Sequence, residues 1–362
     1  MNAFSFSRVL DFFRGKAITI PPMDGALRPN SALDDAIALA HIPAPDNLVS
    51  SDQRTLFSSG KSLYELGTQG GEPAAIAHFD SEIAALAACP DGGLGLALDD
   101  GRILLLDGSL KVLSTIPAIG PEKLFCPTAL LFADKDTLLV VQGSSHVRPS
   151  QWARDLLELG CSGSLWRIDL RTGNHEALLK GLAWPNGIAA GANGAVVVSE
   201  SWKHRLVEIA NRRTCTLLDK LPGYPGRLSP ASGSGFWLAL FAPRNRLLEF
   251  VLGENDYRRI MIAEVDPRFW IAPALSSGID FREPLQCGGV KTMGVHKPWS
   301  PTRSYGLLVR LDADFQPVAS YHSRANGTRH GITSALDLDG RVLAASRGGN
   351  SIIELTAGAK KP

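Results

Sequence analysis

Ala190-Gly-Ala-Asn-Gly-Ala-Val-Val-Val-Ser199 reads as two strand ends joined by a tight turn. Asn193 and Gly194 accept positive φ at little cost, and the β-branched run Val196–Val198 favours extended backbone. The same signature, a turn rich in Asp, Asn, Gly or Ser followed by a short apolar run, recurs along the chain. It appears as Val49-Ser-Ser-Asp-Gln-Arg-Thr-Leu-Phe-Ser-Ser59, Ala88-Cys-Pro-Asp-Gly-Gly-Leu-Gly-Leu-Ala-Leu98 and Phe132-Ala-Asp-Lys-Asp-Thr-Leu-Leu-Val-Val141. Ser229-Pro-Ala-Ser-Gly-Ser-Gly-Phe-Trp-Leu-Ala-Leu240 and Leu336-Asp-Leu-Asp-Gly-Arg-Val-Leu-Ala-Ala-Ser346 complete the set.

Each copy is a hairpin signal, and most lead into a further strand, as in Gly163-Ser-Leu-Trp-Arg-Ile-Asp169 and His204-Arg-Leu-Val-Glu-Ile209. Turn anchors at Asp52, Asp91, Lys135, Asn193, Ser234 and Asp339 are separated by 39, 44, 58, 41 and 105 residues. A four-stranded propeller blade takes about 40–50 residues, so three of these steps are blade-sized as they stand. The 58-residue step holds Ser150–Gly160, where Trp152, Leu156, Leu157 and Leu159 suggest a short inserted helix. The 105-residue step holds an insertion over about 253–303, rich in Pro, Gly and aromatic residues. The expected fold is therefore all-β, a six-bladed β-propeller over 41–362 with an inserted, lid-like segment between the fifth and sixth turns. Residues 1–40 form an N-terminal extension, a helical segment plus a closing segment. An open sandwich or two smaller β domains would need a linker, and no linker-like stretch separates the anchors.

Composition bounds the function classes. The 362 residues are 44% hydrophobic and 20% charged, with 37 Lys and Arg against 36 Asp and Glu. Nucleic acid is not expected as a partner, because phosphate recognition needs a basic excess or patch. No run of about 18 apolar residues spans a bilayer. The five cysteines are scattered without a Cys-x-x-Cys pair, which argues against a disulfide framework or structural zinc and for a reducing, cytoplasmic setting. Met1–Lys16 lacks a secretory pattern. Phe6, Val9, Leu10 and Phe13 fall at helical spacing, so residues 1–16 are expected as a helix packed on the domain itself, with membrane-surface contact as the alternative.

A more specific stretch runs from Gly181-Leu-Ala-Trp-Pro-Asn-Gly-Ile188 through Val198-Ser-Glu-Ser-Trp-Lys-His-Arg-Leu206, Leu221-Pro-Gly-Tyr-Pro-Gly-Arg-Leu228 and Gly235-Phe-Trp-Leu-Ala-Leu240. Over 161–250 it resembles the strictosidine synthase-like family, with its Pro-Asn-Gly turn, strand-end Glu, Pro-Gly-Tyr-Pro loop and Phe-Trp strand. The resemblance implies a six-bladed propeller related to gluconolactonase-type enzymes and paraoxonases, many of which hold calcium in the channel. Calcium takes six to eight hard oxygen ligands. Asp46 stands where the first carboxylate of that site would be, with Asn47 beside it, and Asn186 stands at the family's Pro-Asn-Gly asparagine. Thr128 replaces another asparagine, and Gly226 and Arg227 replace the family's Asp-Asn, so Ca2+ is disfavoured. Thr333 falls at the catalytic glutamate of strictosidine synthase itself, so that enzyme's own condensation is not supported.

His330, in Thr328-Arg-His-Gly-Ile-Thr333, opens the expected inner strand of the sixth blade and is assigned as general base, since imidazole titrates near working pH. Its alternative is a hydrogen bond to a neighbouring blade. Arg227 is assigned to an oxyanion or carboxylate, with Arg329 as a second candidate or a surface ion pair. Asp46, Asn47, Thr128, Asn186, Glu200, His146 and Thr333 are expected at the substrate. Glu200 can instead pair with Lys203 or Arg205, and Asn186 can serve only its turn. Gln142 also follows an inner strand, and Trp270, His296 and Trp299 give the insertion an aromatic character that suits an apolar ligand. No Gly-x-Ser-x-Gly elbow, His-Glu-x-x-His, phosphate loop or dinucleotide fingerprint is present. The expected activity is hydrolysis of an ester or lactone of a small, partly apolar molecule at the channel mouth. A related lyase or condensing enzyme, and a non-catalytic propeller that binds a small ligand, are the alternatives.

Overall fold

The computed structural model describes residues 20–355 except 68–70, 120–121, 124–125, 211–212, 281, 284–287, 293–294 and 300–303. The expected helix over 1–16 lies outside the described residues. So do the side chains of His296 and Trp299, whose backbone forms one strand of a short ribbon, Gly288–Thr292 with Val295–Trp299.

Six four-stranded antiparallel sheets form the blades among the described residues. Blades 1 to 5 span 45–78, 83–116, 127–182, 185–218 and 223–323, and each runs from its innermost strand outward. Blade 6 takes three inner strands from 332–354 and its outermost strand, Ile37–His41, from the other end of the chain. That pairing closes the ring and leaves no open edge at the join.

Every turn anchor read from the sequence joins an innermost strand to the second strand of its blade. Asp52, Asn193 and Asp339 sit at φ of 49°, 54° and 53° there, the left-handed region that short polar side chains tolerate. The second strands are buried nearly throughout, as Leu94–Leu98 and Val196–Glu200 are along their whole length. A blade packs both faces against neighbours, so its strands carry unbroken apolar runs rather than alternation.

The hydrophobic cores follow the same logic, with one cluster at each junction between neighbouring blades. Trp237, Ala239, Leu308, Ile332 and Ala344, for example, lock blade 5 to blade 6. Hydrogen bonds tie neighbouring blades together across these junctions. Thr128 Oγ1 donates to the Pro185 carbonyl at 2.6 Å, Ser199 Oγ to the Gly226 carbonyl at 2.6 Å, and the Leu48 amide to Ser334 Oγ at 3.1 Å.

Strand order fixes where the insertions go. Innermost strands start at one mouth of the channel, and loops between second and third strands return to that mouth. Both insertions are loops of this kind. Blade 3 carries Pro149–Gln151 and the helix Trp152–Leu157, as expected. Blade 5 carries 244–305, with helices Arg246–Gly253 and Asn255–Glu264, so this insertion starts earlier than its Gly and Pro content suggests and lies within blade 5. The two insertions share a core in which Leu157, Val251, Met261 and Trp270 are buried. Trp270 is therefore packing, its indole nitrogen donating to the Val265 carbonyl at 2.9 Å. No helix among the described residues is long and apolar enough to cross a membrane.

Candidate functional site

A cavity of about 180 Å³ opens at the mouth where the inner strands begin. Asp46, Ile83, Thr128, Asn186, Gly226 and Thr333 bring one position from each blade to its wall. Trp152 of the blade 3 helix and Leu275 of the blade 5 insertion complete it from above. The insertion lies hard on blade 6, because a Cβ on Gly348 would collide with the Leu275 carbonyl.

The polar corner centres on Asp46. Its carboxylate is 7% exposed and receives Arg227 Nη1 at 3.1 Å and Arg347 Nη1 at 3.2 Å. The Asn47 amide donates to the same carboxylate at 2.7 Å. Arg227 also donates through Nη2 to the Ala84 carbonyl at 2.7 Å, so it spans from blade 5 to blades 1 and 2. Burial pushes the Arg227 pKa down and Asp46 pushes it back up, while Arg347 adds to the downward push. Arg347 is 40% exposed, and its Nε and Nη2 have no hydrogen-bond partner among the described residues.

Two further carboxylates line the cavity, Glu82 and Asp99. Asp99 accepts from the Ser150 amide at 2.7 Å and the Ser150 hydroxyl at 2.9 Å, which fastens the blade 3 insertion to blade 2. Glu82 is exposed, and its carboxylate has no hydrogen-bond partner among the described residues.

The opposite wall is aromatic, made by Trp152, Trp184 and Phe241. Trp184 stacks on Trp202 with centroids 5.4 Å apart, and Trp152 meets Phe241 edge-on at 5.8 Å. Trp202 is held in turn by its indole nitrogen, which donates to Asp155 at 2.8 Å. Burial raises the Asp155 pKa, and the Trp202 bond partly offsets this. Trp184 adopts φ of 50°, a conformation that costs a bulky residue about 1–3 kcal/mol and that clusters at ligand sites.

The structure thus brings together Asp46, Thr128, Asn186, Arg227 and Thr333. Asn47 packs behind Asp46, its side-chain Nδ2 donating to Ser58 Oγ at 2.8 Å. Five assigned or candidate residues go elsewhere. His330 does not line the cavity: Nε2 donates to the Arg324 carbonyl at 2.9 Å, and Nδ1 faces the Ser304 hydroxyl at 2.8 Å. With both nitrogens engaged, the hydrogen-bonding alternative describes this histidine better than the general-base role. Glu200 is fully buried between the Ala183 amide, Lys203 and Arg205, at 2.7, 2.8 and 2.6 Å. His146 is exposed on its loop beside Ser145, and Arg329 donates to Ser351 at 3.1 Å. Gln142 is buried, outside the cavity wall.

Sequence reasoning missed Arg347, Glu82, Asp99, Phe241 and the wall role of Trp184. Trp184 had a signal, since it precedes the Pro-Asn-Gly turn. Arg347 had none, because only ring closure sets blade 6 beside blade 1.

Calcium does not fit this corner. Asp46 already carries two guanidinium contacts, and a divalent ion at that carboxylate would face both like charges at close range. Among the described residues no group of three or more His, Cys, Asp or Glu gathers in a metal-binding arrangement.

The fold and this mouth define a six-bladed propeller with a polar-and-aromatic cavity at one end of its channel. Comparison with known proteins agrees. No family model matches the chain. The zebrafish (Danio rerio) adipocyte plasma membrane-associated protein is 23% identical over 324 residues, which cover 79% of this chain and 75% of that protein. The Arabidopsis thaliana protein strictosidine synthase-like 10 is 23% identical over 133 residues, 35% of this chain and 36% of its own. Among solved structures, a gluconolactonase from Xanthomonas campestris superposes with a TM-score of 0.58 at 12% identity, covering 93% of this chain and 98% of that one. A putative gluconolactonase gives 0.55 at 12% identity, over 88% and 90%. The chain is a six-bladed propeller similar to a strictosidine synthase-like protein and, in fold, to gluconolactonases.

Proposed function

We propose that this propeller hydrolyses an ester or lactone of a small, partly apolar molecule in the cavity beside Asp46. The observation that carries the reading is the juxtaposition, in one cavity, of a two-guanidinium corner, an unpartnered carboxylate and an aromatic wall. The gluconolactonases with the same fold make a lactone the first substrate class to test.

In this reading the apolar part of the substrate lies against Trp152, Trp184 and Phe241. Its carbonyl oxygen faces Arg347, whose Nε and Nη2 donate to the charge that develops on that oxygen, with Arg227 fixing Asp46 behind. Glu82 takes a proton from the attacking water, the role first assigned to His330. The water oxygen bonds to the carbonyl carbon, the ring C–O bond breaks, and the alkoxide collects the proton, giving a hydroxy acid.

A panel of lactones and aryl esters tests this on wild type, Glu82→Gln and Arg347→Met. Loss of a general base lowers kcat about 10²–10⁴-fold, and loss of an oxyanion donor about 10²–10³-fold. A wild type inert across the panel, or variants that match it, ends the hydrolase reading. The second reading is a non-catalytic binding propeller. It is favoured by the full use of both Arg227 terminal nitrogens on Asp46 and Ala84, and by Thr333 where strictosidine synthase has its catalytic glutamate. Ligand binding without turnover would select it.

A further inference from the structure

The channel has a second cavity, at the mouth where the inner strands end. Its volume is about 400 Å³, against about 180 Å³ for the first. All six inner strands contribute to its wall, and seven of the lining residues are alanine, too short to fill the axis of the ring. Among the described residues that line it only Arg227 is charged, and its terminal nitrogens are taken by Asp46 and the Ala84 carbonyl. The side chains of this wall therefore offer a guest apolar contact and no free ion.

The chain's own path leads to this mouth. Along the outermost strand of blade 5, Pro317–Ser323, Asn30 Nδ2 donates to the Ser320 carbonyl at 2.8 Å and the Leu33 amide to the His322 carbonyl at 3.0 Å. Residue numbers rise together on the two segments, so the chain before Asn30 lies towards Pro317, on the face of the second cavity. Met23 and Leu27 pack there on the core cluster that also takes Phe236 and Phe315. Phe236 stacks on Phe315 with centroids 4.2 Å apart, and it lines the second cavity. The first described residues thus share an apolar cluster with a residue of the cavity wall.

Ahead of Ile20 in the sequence stand Phe6, Val9, Leu10 and Phe13, an apolar stripe at helical spacing. We propose that residues 1–19 fold back across the end of blade 5 and cover the second mouth, with this stripe facing the alanine-lined wall. Three strand spacings separate the outermost strand of the blade from the innermost, about 14 Å, and a helix over 1–16 is about 24 Å long, enough to reach the channel. The stripe supplies the bulk that the alanines leave out, and its removal from water drives the docking. Arg8, on the opposite side of such a helix, stays in water. Covering this mouth shields the far side of Arg227, which borders both cavities. The docking involves no turnover, so it stands apart from the hydrolase reading.

Disulfide trapping in the full chain tests it. Ala190 is an exposed rim residue on blade 4. Under copper–phenanthroline oxidation, Leu10→Cys with Ala190→Cys should form an intramolecular disulfide at least fivefold faster than Arg8→Cys with Ala190→Cys. The same margin should separate it from Leu10→Cys with Ser109→Cys, on an exposed outer turn of blade 2 at the same face, and with Ser145→Cys, on an exposed loop of the opposite face. Single variants set the background from Cys161 and Cys215, which are exposed. As a second readout, Leu10→Asp/Phe13→Asp should raise binding of Nile red, a neutral apolar dye, at least threefold, and Ala190→Trp, which fills the mouth, should cancel the gain. Circular dichroism and melting temperature confirm that each variant is folded. Equal trapping at the rim and remote sites, or from Leu10 and Arg8, overturns the proposal. So does a disulfide between two copies, which makes a second chain the occupant, and so does a wild type that takes up the dye as the Asp variant does, which leaves the mouth open to a small molecule.

Discussion

Asp46→Ala should be among the most costly single changes at the channel. The carboxylate is 7% exposed and its partner Arg227 18%, so removing the anion strands a guanidinium in a poorly hydrated place. Breaking one side of such a buried pair costs about 3–5 kcal/mol. Arg227 keeps its bond to the Ala84 carbonyl, which places the expected loss near the lower bound, about 3 kcal/mol. Arg347 is 40% exposed, and water screens its contact, so its share is about 0.5 kcal/mol at most. The loss of the Asn47 amide's acceptor adds about 1 kcal/mol. Asp46→Asn separates that last contribution, since the side-chain oxygen can still accept from Asn47. The decisive measurement is a double-mutant cycle with Arg227→Met, read from urea midpoints at constant m-value. If Asp46 exists to hold Arg227, the double variant should be more stable than the sum of the single losses by about 2 kcal/mol. Additive losses would refute the reasoning, because the two charges would then be independent.

Two other outcomes follow from the geometry. Gly187→Ala should destabilise by about 3 kcal/mol or more in thermal unfolding, since a Cβ there would collide with the Gly226 carbonyl and lie 2.8 Å from Ser199 Oγ and 2.9 Å from Arg227 Cα; wild-type stability would disprove the close blade contact. His204, buried against Tyr224 and 3.7 Å from Glu249, has its pKa lowered by burial from 6.5 to about 4, so its neutral form is the one the fold prefers. Its contribution is complete above pH 6.5 and is lost as pH falls towards 4; His204→Asn should flatten the stability profile in that window, and an unchanged slope would assign the loss to other groups.

The repeat was legible because it is local. Asp52, Asn193 and Asp339 mark turns by their own backbone preferences, and runs such as Val196–Val198 mark strands buried on both faces, so blade number and fold needed no tertiary information. Asp46, Thr128, Asn186, Arg227 and Thr333 could be placed at one mouth because each sits near the start of an inner strand. His330 precedes an inner strand and Glu200 ends a second strand at the same mouth, yet one is claimed by Ser304 and the Arg324 carbonyl and the other by Lys203 and Arg205. Strand position says which mouth a residue approaches; the rotamer and the partners beside it decide whether it faces the channel.

The amino-acid sequence by itself determined the blades, their turns and the mouth at which chemistry would gather, because propensity and apolar periodicity act within a few residues. Only the closed ring decided the composition of the cavity. Arg347 meets Asp46 across 301 positions of chain, and Arg227 reaches Ala84 across 143. Such contacts depend on six junctions packing at once, and no local preference encodes them.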